Sequence, residues 1–573
     1  MKFKNGLLYL LTISVINLLV MHYTVFLTCN VERQIDFTVF IDNFGIVVCE
    51  VLIITLVFSI FLMRRIRLAA FMCSVVTVLW SFCNVVYARF FSQYLTASAI
   101  GEGGNLLDPF IIKCLVDGVR WRDVIYLISF VFSFLIFRRI PDYKLSMSAL
   151  KHGALAVISV LVIDVASHTF FCVLTPSMRY ISYVKHRISL ELLSQQCYSA
   201  QPIYSHFQRG SVRTLGFQMM EIIRGTLELS PVQIELIQKE IDNLKPRQIC
   251  ASSHPDIRNV IFIIIESYMS FTVDLKVGGV EITPFLNSLK RDPETYYNGK
   301  MNPNITIGES SDGQFIYMTG LLPLRSAITI TEARKHSFPG LPRQLTASRK
   351  MNTRMVIPTA PSMWNQNIMC KQYGVEKLYS TSEYRKSHSM YLSDEQIFDL
   401  ADSIDASLSK SFFSMVLTFS MHQPYIEQID ESFKINEPAY SRSLNNYLNA
   451  CHYTDRQLRT YFDHLKRKHI FENSLIVIAS DHHVAENALE LPKDFSNRKL
   501  PFFIINGDIE PSKAWKGECN QLDVYTTLLD VLGVDAPWLG LGHSLVSVDY
   551  TNSVDEKKWN YSEWIIKSDY FNR

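Results

Sequence analysis

Four separated stretches of this sequence carry residues able to do chemistry together. Apolar runs at 260–265, 412–419 and 475–479 stop at Glu266, shortly before His422, and close to Asp481, His482 and His483. The runs are rich in β-branched residues and bounded by polar ones, the pattern of strands buried on both faces. In open parallel α/β sheets, ligands sit beyond the carboxyl ends of the strands. A carboxylate, an imidazole and an Asp-His pair at three such ends suit a divalent cation. Asp481 taken alone is equally well explained as a turn cap with the histidines facing water, but three strand ends converging is harder to assign to chance. The fourth stretch is GESSDGQF, residues 308–315. Ser311 and Gln314 have capping-box spacing, so a helix is predicted to begin there and run through Met318. Ser310 would then stand just before the helix, where backbone N–H groups and the helix dipole favour negative charge. A hydroxyl in that place becomes a nucleophile when a metal also binds it. Read alone, the two serines are also explained as helix caps.

The elements that must position these residues follow from the same patterns. From residue 259 onward, strand-like runs (with 501–505 as a further one) alternate with helices predicted at 283–290, 394–406, 440–467 and 523–532. Such alternation specifies a mostly parallel sheet with helices on both faces. The 573 residues exceed one ordinary core. A net charge of +2 with 19% charged residues argues against nucleic-acid binding as the main function. The 11 cysteines include no CxxC pair and no zinc-finger spacing. Cys370, Cys451 and Cys519 lie outside the apolar N-terminal third, and in an oxidising compartment they are candidates for disulfides.

The first third is a membrane domain by the same reading. Residues 7–27, 44–63, 68–87, 124–137 and 154–174 are apolar runs expected to span, the fourth being short enough to need its flanks. No small-residue cleavage site follows the first run, so an uncleaved helix is expected. Lys2, Lys4, Arg64, Arg65, Arg67, Arg138, Arg139, Lys144 and Lys151 all fall on one side if the N-terminus is cytoplasmic. Five spans then carry everything after Pro176 outside, where chemistry proceeds without cytosolic ATP. Asp164 and His168 stand one turn apart in the fifth span and are read as helix-to-helix hydrogen-bonding groups, no other span offering a matching partner. The expected organisation is a transmembrane domain at 1–176, a helical linker at 177–255, a catalytic domain at 256–551 and a C-terminal tail at 552–573. Within the linker, Ser230, Pro231 and Gln233 mark a helix start, and Tyr180 to Phe217 suits either a membrane surface or a packed linker.

NVIFIIIES, GESSDGQF, SMHQPY and IASDHHVAEN together resemble the lipoteichoic acid synthase group of the alkaline phosphatase and sulfatase superfamily. QLDVYTTLLDVLGV followed by GLGHSL resembles the closing segment of sulfatase-like domains. The resemblance covers nearly the whole chain, five membrane helices before an extracytoplasmic α/β sulfatase-like domain being that group's architecture. It implies one divalent ion, Mn²⁺ favoured and Zn²⁺ the alternative, held by Glu266, Ser310, Asp481 and His482. Ser310 stands where lipoteichoic acid synthases have a nucleophilic threonine, His422 matches a histidine close to the transferred phosphate, and Trp364 resembles a tryptophan contacting glycerol phosphate. The neighbouring family arginine is replaced by Gln366, which removes a phosphate-pairing cation, and Ile357 stands where another polar substrate contact is expected. The C/S-x-P-x-R motif of sulfatases is missing after Ser310, so sulfate ester hydrolysis is not expected.

The resulting expectation is a multi-pass enzyme of the bacterial plasma membrane. It transfers a phosphorylated headgroup, phosphoglycerol first, from a membrane phospholipid to an extracytoplasmic glycan or lipid acceptor, through a phospho-Ser310 intermediate with His422 as general acid. Phosphoethanolamine transfer and plain phosphodiesterase or phosphatase activity use the same chemistry. A membrane sensor that has lost turnover is the alternative from another class.

Overall fold

The computed structural model describes residues 50–91 and 116–139 nearly throughout, scattered other positions up to 162, residues 211–224 and 226–243, residue 249, and 257–572 apart from short gaps at 326, 385–390, 406–409, 424, 426, 485–488, 490, 496, 511 and 552–553. The chain divides into two compact units, Met1–Arg224 and Gly225–Arg573.

In the first unit, α1 (Ile66–Phe91) and α2 (Val124–Arg139) contain the third and fourth expected spans. Their pairing is antiparallel. Phe71 stacks on Phe137 near one end, with ring centroids 4.7 Å apart, and Arg89 grips Asp123 at the other through two bonds of 2.6 and 2.7 Å. Arg65 and Arg67 therefore lie at the same end as Arg138 and Arg139, as the charge reading requires. Among the described residues one helix, Ile66–Arg89, is long and apolar enough to cross a membrane, rising about 36 Å at 1.5 Å per residue. The expected spans 7–27 and 154–174, and with them Asp164 and His168, lie almost wholly outside the described residues. One acidic residue of the expected spans is enclosed by protein. Glu50, inside the expected span 44–63, is buried and accepts the Val212 backbone N–H, at 2.5 Å, near the start of α3 (Ser211–Arg224).

The second unit opens with α4 (Pro231–Asn243), whose capping box forms as its sequence requires. Ser230 N–H donates to Gln233 Oε1 at 2.9 Å, and Gln233 N–H returns to Ser230 Oγ at 3.3 Å. The strands follow as β1 (Asn259–Ile265), a two-stranded ribbon of β2 (Lys276–Val277) and β3 (Val280–Glu281), β4 (Tyr296–Asn302), β5 (Asn352–Val356), β6 (Lys377–Tyr379), β7 (Phe412–Leu417), β8 (Ser474–Ser480), β9 (Leu500–Ile505) and β10 (Cys519–Asn520). Eight of them form one sheet in the order β10-β4-β9-β8-β1-β7-β5-β6. Only β9 runs against the others, being antiparallel to both β8 and β4. β1 is central, paired in parallel with β7 and β8.

Strand alternation divides the core. Val260, Phe262 and Ile264 of β1 face one layer, which holds α6 (Ser310–Thr319), α7 (Leu341–Arg349), α8 (Gln366–Tyr373) and α11 (Asp523–Val531). Ile261, Ile263 and Ile265 face the other, with α5 (Pro284–Arg291), α9 (Asp394–Asp405) and α10 (Arg442–Arg467). A side-chain period of two on a strand enclosed by both layers leaves no polar face, which is why this run is continuously apolar. Two segments that the sequence placed outside the catalytic domain pack into the first layer. Ile237 and Ile241 of α4 join it, as do Ile565 and Ile566 of α12 (Glu556–Lys567), a helix built from residues read as a tail. Arg325 ties α12 down through Glu563 and Asn560, at 3.1 and 2.9 Å, and through Glu556. Cys370, Cys451 and Cys519 are buried free thiols, and Cys451 lies in the opposite layer from the other two.

Candidate active site

The register of the central strands brings the polar residues together. Ile265 pairs with Ser480, so the next residues, Glu266 and Asp481, emerge side by side at the carboxyl edge of β1 and β8. Their side chains are buried, and each is oriented from its neighbourhood. Glu266 Oε1 accepts Ser267 Oγ–H at 2.9 Å, while Asp481 Oδ1 accepts the N–H groups of Ser267 and His482 at 2.9 and 2.8 Å. Asp481 is also held through its carbonyl, which accepts Gln521 Nε2–H at 2.6 Å. His482 directs Nδ1 at the His483 carbonyl, 2.7 Å away, which leaves Nε2 turned toward the carboxylates.

The nucleophile candidate arrives from another element. α6 begins at Ser310 itself, and Glu309 at the capping position makes no side-chain cap bond. The capping box expected from Ser311 and Gln314 does not form. Ser311 Oγ donates to the Gly308 carbonyl at 2.7 Å, and Gln314 Oε1 is buried with no partner among the described residues. Ser310 is therefore the first helical residue instead of the one before it. Its Oγ lies 3.3 Å from Glu266 Oε2 and 3.0 Å from His482 Nε2. α6 comes this close because Gly313 has no side chain. A Cβ there would stand 2.2 Å from the Asp481 carbonyl oxygen.

One ligand atom from each of Glu266, Asp481 and His482 lies within 4.8 Å of the other two. With Ser310 they form a donor set of two carboxylates, an imidazole nitrogen and a hydroxyl, which fits one divalent cation. The electrostatics say the same. Burial and then the Glu266 charge push the Asp481 carboxyl well up, while His482 outweighs burial and holds Glu266 low. Against its own burial, His482 is raised by Asp481, Glu266 and Glu309. Glu309, which the sequence reading left without a role, faces His482 Nδ1 at 3.5 Å and is pushed up to about 7, mainly by burial.

His422 follows β7 on the other side of β1, its Nδ1 tied to the Gln423 carbonyl at 2.6 Å. Its ring stacks on Phe419 at 4.9 Å and lies 5.7 Å from the indole of Trp364. Gln366 begins α8 two residues after Trp364, and its Oε1 is buried without a partner among the described residues. Ile357 is fully buried in the first core layer. Backbone strain collects in these segments. Ser267, Glu309, Trp364 and Asn365 all have positive φ, between 46° and 57°, conformations that non-glycine residues hold only when their surroundings compel it. Glu309, Asp312, Tyr317 and Gln521 support the site without having been singled out by the sequence. Of these only Asp312 carries a local signal, its position in the first turn of a helix.

A protein-family model described as Sulfatase matches residues 258–534. The chain is 28% identical over 312 residues to Lipoteichoic acid synthase 2 of Bacillus subtilis, a match covering 51% of this chain and about half, 48%, of that relative's length. Lipoteichoic acid synthase of Staphylococcus saprophyticus is 22% identical over 576 residues, covering 97% of this chain and 87% of that protein. Among solved structures, the integral membrane protein lipooligosaccharide phosphoethanolamine transferase A from Neisseria meningitidis shares the fold with a TM-score of 0.52 at 11% identity, covering 91% of this chain and 95% of that one.

Proposed function

We propose that this chain, which belongs to the lipoteichoic acid synthase-like group of the alkaline phosphatase and sulfatase superfamily, transfers a phosphorylated headgroup from a membrane phospholipid to an extracytoplasmic glycan or lipid acceptor. Phosphoglycerol is the favoured headgroup. The observation that carries this reading is the Ser310 hydroxyl at the first position of a buried helix, within 3.3 Å of both Glu266 and His482. Five membrane helices would hold the site at the outer face of a bacterial plasma membrane, close to lipid headgroups.

Glu266, Ser310, Asp481 and His482 would hold one divalent ion, Mn²⁺ in the first instance. Such an ion, when bound, lowers the pKa of a ligating hydroxyl and neutralises phosphate charge. Ser310 Oγ attacks phosphorus in line. The Oγ–P bond forms as the bond from phosphorus to the diacylglycerol oxygen breaks, and His422 protonates that leaving oxygen, assistance typically worth about 10²–10⁴ in rate. The first-turn N–H groups of α6 favour the charge that gathers on the phosphoryl oxygens. The acceptor hydroxyl then gives its proton back to His422 and attacks phospho-Ser310; the Oγ–P bond breaks, and the serine oxygen regains from solvent the proton it released to solvent in the first half. Trp364 and His422 form one wall of the headgroup subsite.

Phosphoethanolamine transfer is the second reading. Neutral Gln366 in place of a cation, together with the additional buried acid Glu309, favours a headgroup carrying positive charge. The test uses the full-length protein with Mn²⁺ and vesicles of phosphatidylglycerol or phosphatidylethanolamine, followed by mass analysis of the Ser310 peptide. A glycerophosphate adduct supports the first reading and a phosphoethanolamine adduct the second. Release of glycerophosphate or phosphoethanolamine into water without acceptor would make the enzyme a hydrolase. Ser310→Ala is expected to form no adduct while remaining folded, and an adduct in that variant would overturn the scheme.

A further inference from the structure

We propose that Asp312 is a positioning residue for the nucleophile. Its carboxylate folds the segment ahead of α6 into the one shape that delivers Ser310 to His482 and Glu266. This inference rests on Ser310 being the nucleophile.

Asp312 has no exposed surface, and nothing in the chemistry above uses its carboxylate. Its Oδ2 accepts the backbone N–H groups of Thr306 and Gly308 at 2.8 and 2.9 Å. Thr306 Oγ1 stands 2.8 Å from the same oxygen and 2.7 Å from the Leu324 carbonyl, so its single proton serves one of them at a time. The contacts run backward along the chain, four and six residues upstream, and close a loop over Thr306–Ser310. Inside that loop Glu309 adopts φ 46° and ψ −117°, and the next residue is Ser310. A strained residue persists only where neighbours over-determine it; here the Asp312 carboxylate fixes the preceding residue by holding the Gly308 N–H, and the Glu309 carbonyl accepts the Asp312 and Gly313 N–H groups. Gly308 is the complement. A Cβ at Gly308 would meet Asp312 Oδ1 at 2.3 Å and Ser311 Oγ at 2.6 Å, so this glycine makes room for the side chain that holds its own N–H. Thr306 completes the formal glycosylation sequon Asn304-Ile305-Thr306, and its place in this loop gives that threonine a structural role.

A buried acid that only stabilised the fold would, when replaced, lower stability and leave turnover per folded molecule intact. A positioning residue behaves otherwise. Displacement of a reacting group by about 1 Å costs roughly a hundredfold in rate, while donor binding, made by other residues, persists. The test compares full-length wild type with Asp312→Asn, which keeps the shape but loses the charge, with Asp312→Ala, and with Thr306→Val, which keeps the N–H. With Mn²⁺ and phosphatidylglycerol vesicles, Asp312→Asn is expected to lose roughly ten- to a hundredfold in kcat per folded molecule. Its KM should stay within about threefold, because the substrate contacts are untouched. Amide hydrogen exchange at Thr306 and Gly308, whose N–H groups the carboxylate holds, should rise while α6 stays protected. Thr306→Val is expected to show the same effects more weakly. An unchanged kcat in Asp312→Asn, or unchanged exchange in the 306–310 segment, overturns the proposal. If Asp312→Ala fails to fold, the asparagine and valine variants still decide. If wild type forms no adduct with any donor, the proposed function falls, and the exchange experiment still shows whether Asp312 holds the loop.

Discussion

Gly313→Ala should be harmful, although helix propensity argues the reverse. Gly313 sits within the ten-residue helix α6, where alanine is ordinarily about 1 kcal/mol better than glycine. The added Cβ, however, would meet three backbone atoms of Asp481, its O at 2.2 Å and its C and Cα at 2.8 Å. Ordinary Cβ contact begins near 3.4 Å, so α6 must retreat by about 1.2 Å, the difference between the two distances. Backbone cannot yield as a flexible side chain does, and β8 is pinned between β1 and β9. Overpacking of this kind costs about 1–3 kcal/mol, which leaves a net loss of roughly 0–2 kcal/mol after the propensity gain. The larger effect is on chemistry. Ser310 lies one turn earlier on the same helix and moves with it, and a displacement near 1 Å is worth roughly a hundredfold in rate. Thermal unfolding and the rate of Ser310 adduct formation would be measured on the same preparation. A variant as stable as wild type, with a rate within about threefold, would show that α6 is not held against the end of β8 as described.

Two further outcomes are expected. Chelation should lower the unfolding temperature and Mn²⁺ should restore it, because an ion that binds only the folded site stabilises by about 2.7 kcal/mol at a hundred times its Kd; an unfolding temperature indifferent to chelator and to Mn²⁺ would count against the metal site. Arg325→Ala should loosen the C-terminal helix by about 1–3 kcal/mol at neutral pH, because Glu563 loses its charged partner in a nearly buried setting. Burial acts to raise the Glu563 pKa, but Lys567 and Arg325 prevail and hold it below its ordinary 4.5. A depressed folded-state pKa contributes stability above the unfolded value and loses it as pH falls through the folded value. The gap between variant and wild type should therefore be full at pH 7 and shrink below pH 4.5, and urea titrations at several pH values would reveal a gap that behaves otherwise.

Much of the catalytic fold was legible because its signals are local. The runs ending at Glu266 and near Asp481 became β1 and β8, extended by one residue or so. The helix predicted at 394–406 is Asp394–Asp405, and that at 523–532 is Asp523–Val531. Strands without such composition went unread. β4, YYNGKMN, alternates buried and half-exposed positions around a glycine and carries a lysine. β5 contains Arg354, which is buried with its guanidinium 3.8 Å over the ring of Phe412 on the adjacent strand. α12 carries no such continuous signal, its tryptophans and isoleucines being diluted by charges, one of them Lys558, whose Nζ is buried against the Leu541 carbonyl at 2.7 Å.

The amino-acid order alone determined which residues have the right chemistry and that they stand at strand ends and a helix start, since hydrophobic period and polar punctuation are properties of neighbours along the chain. Tertiary structure alone decided that Ser310 begins its helix, that Glu309 and Asp312 are buried acids, and that Gly313 is an approach point instead of a flexible joint. Whether a carboxylate meets water or a backbone N–H, and whether a missing side chain leaves empty space or admits another strand's carbonyl, depends on residues more than a hundred positions away, such as Asp481 beside Gly313.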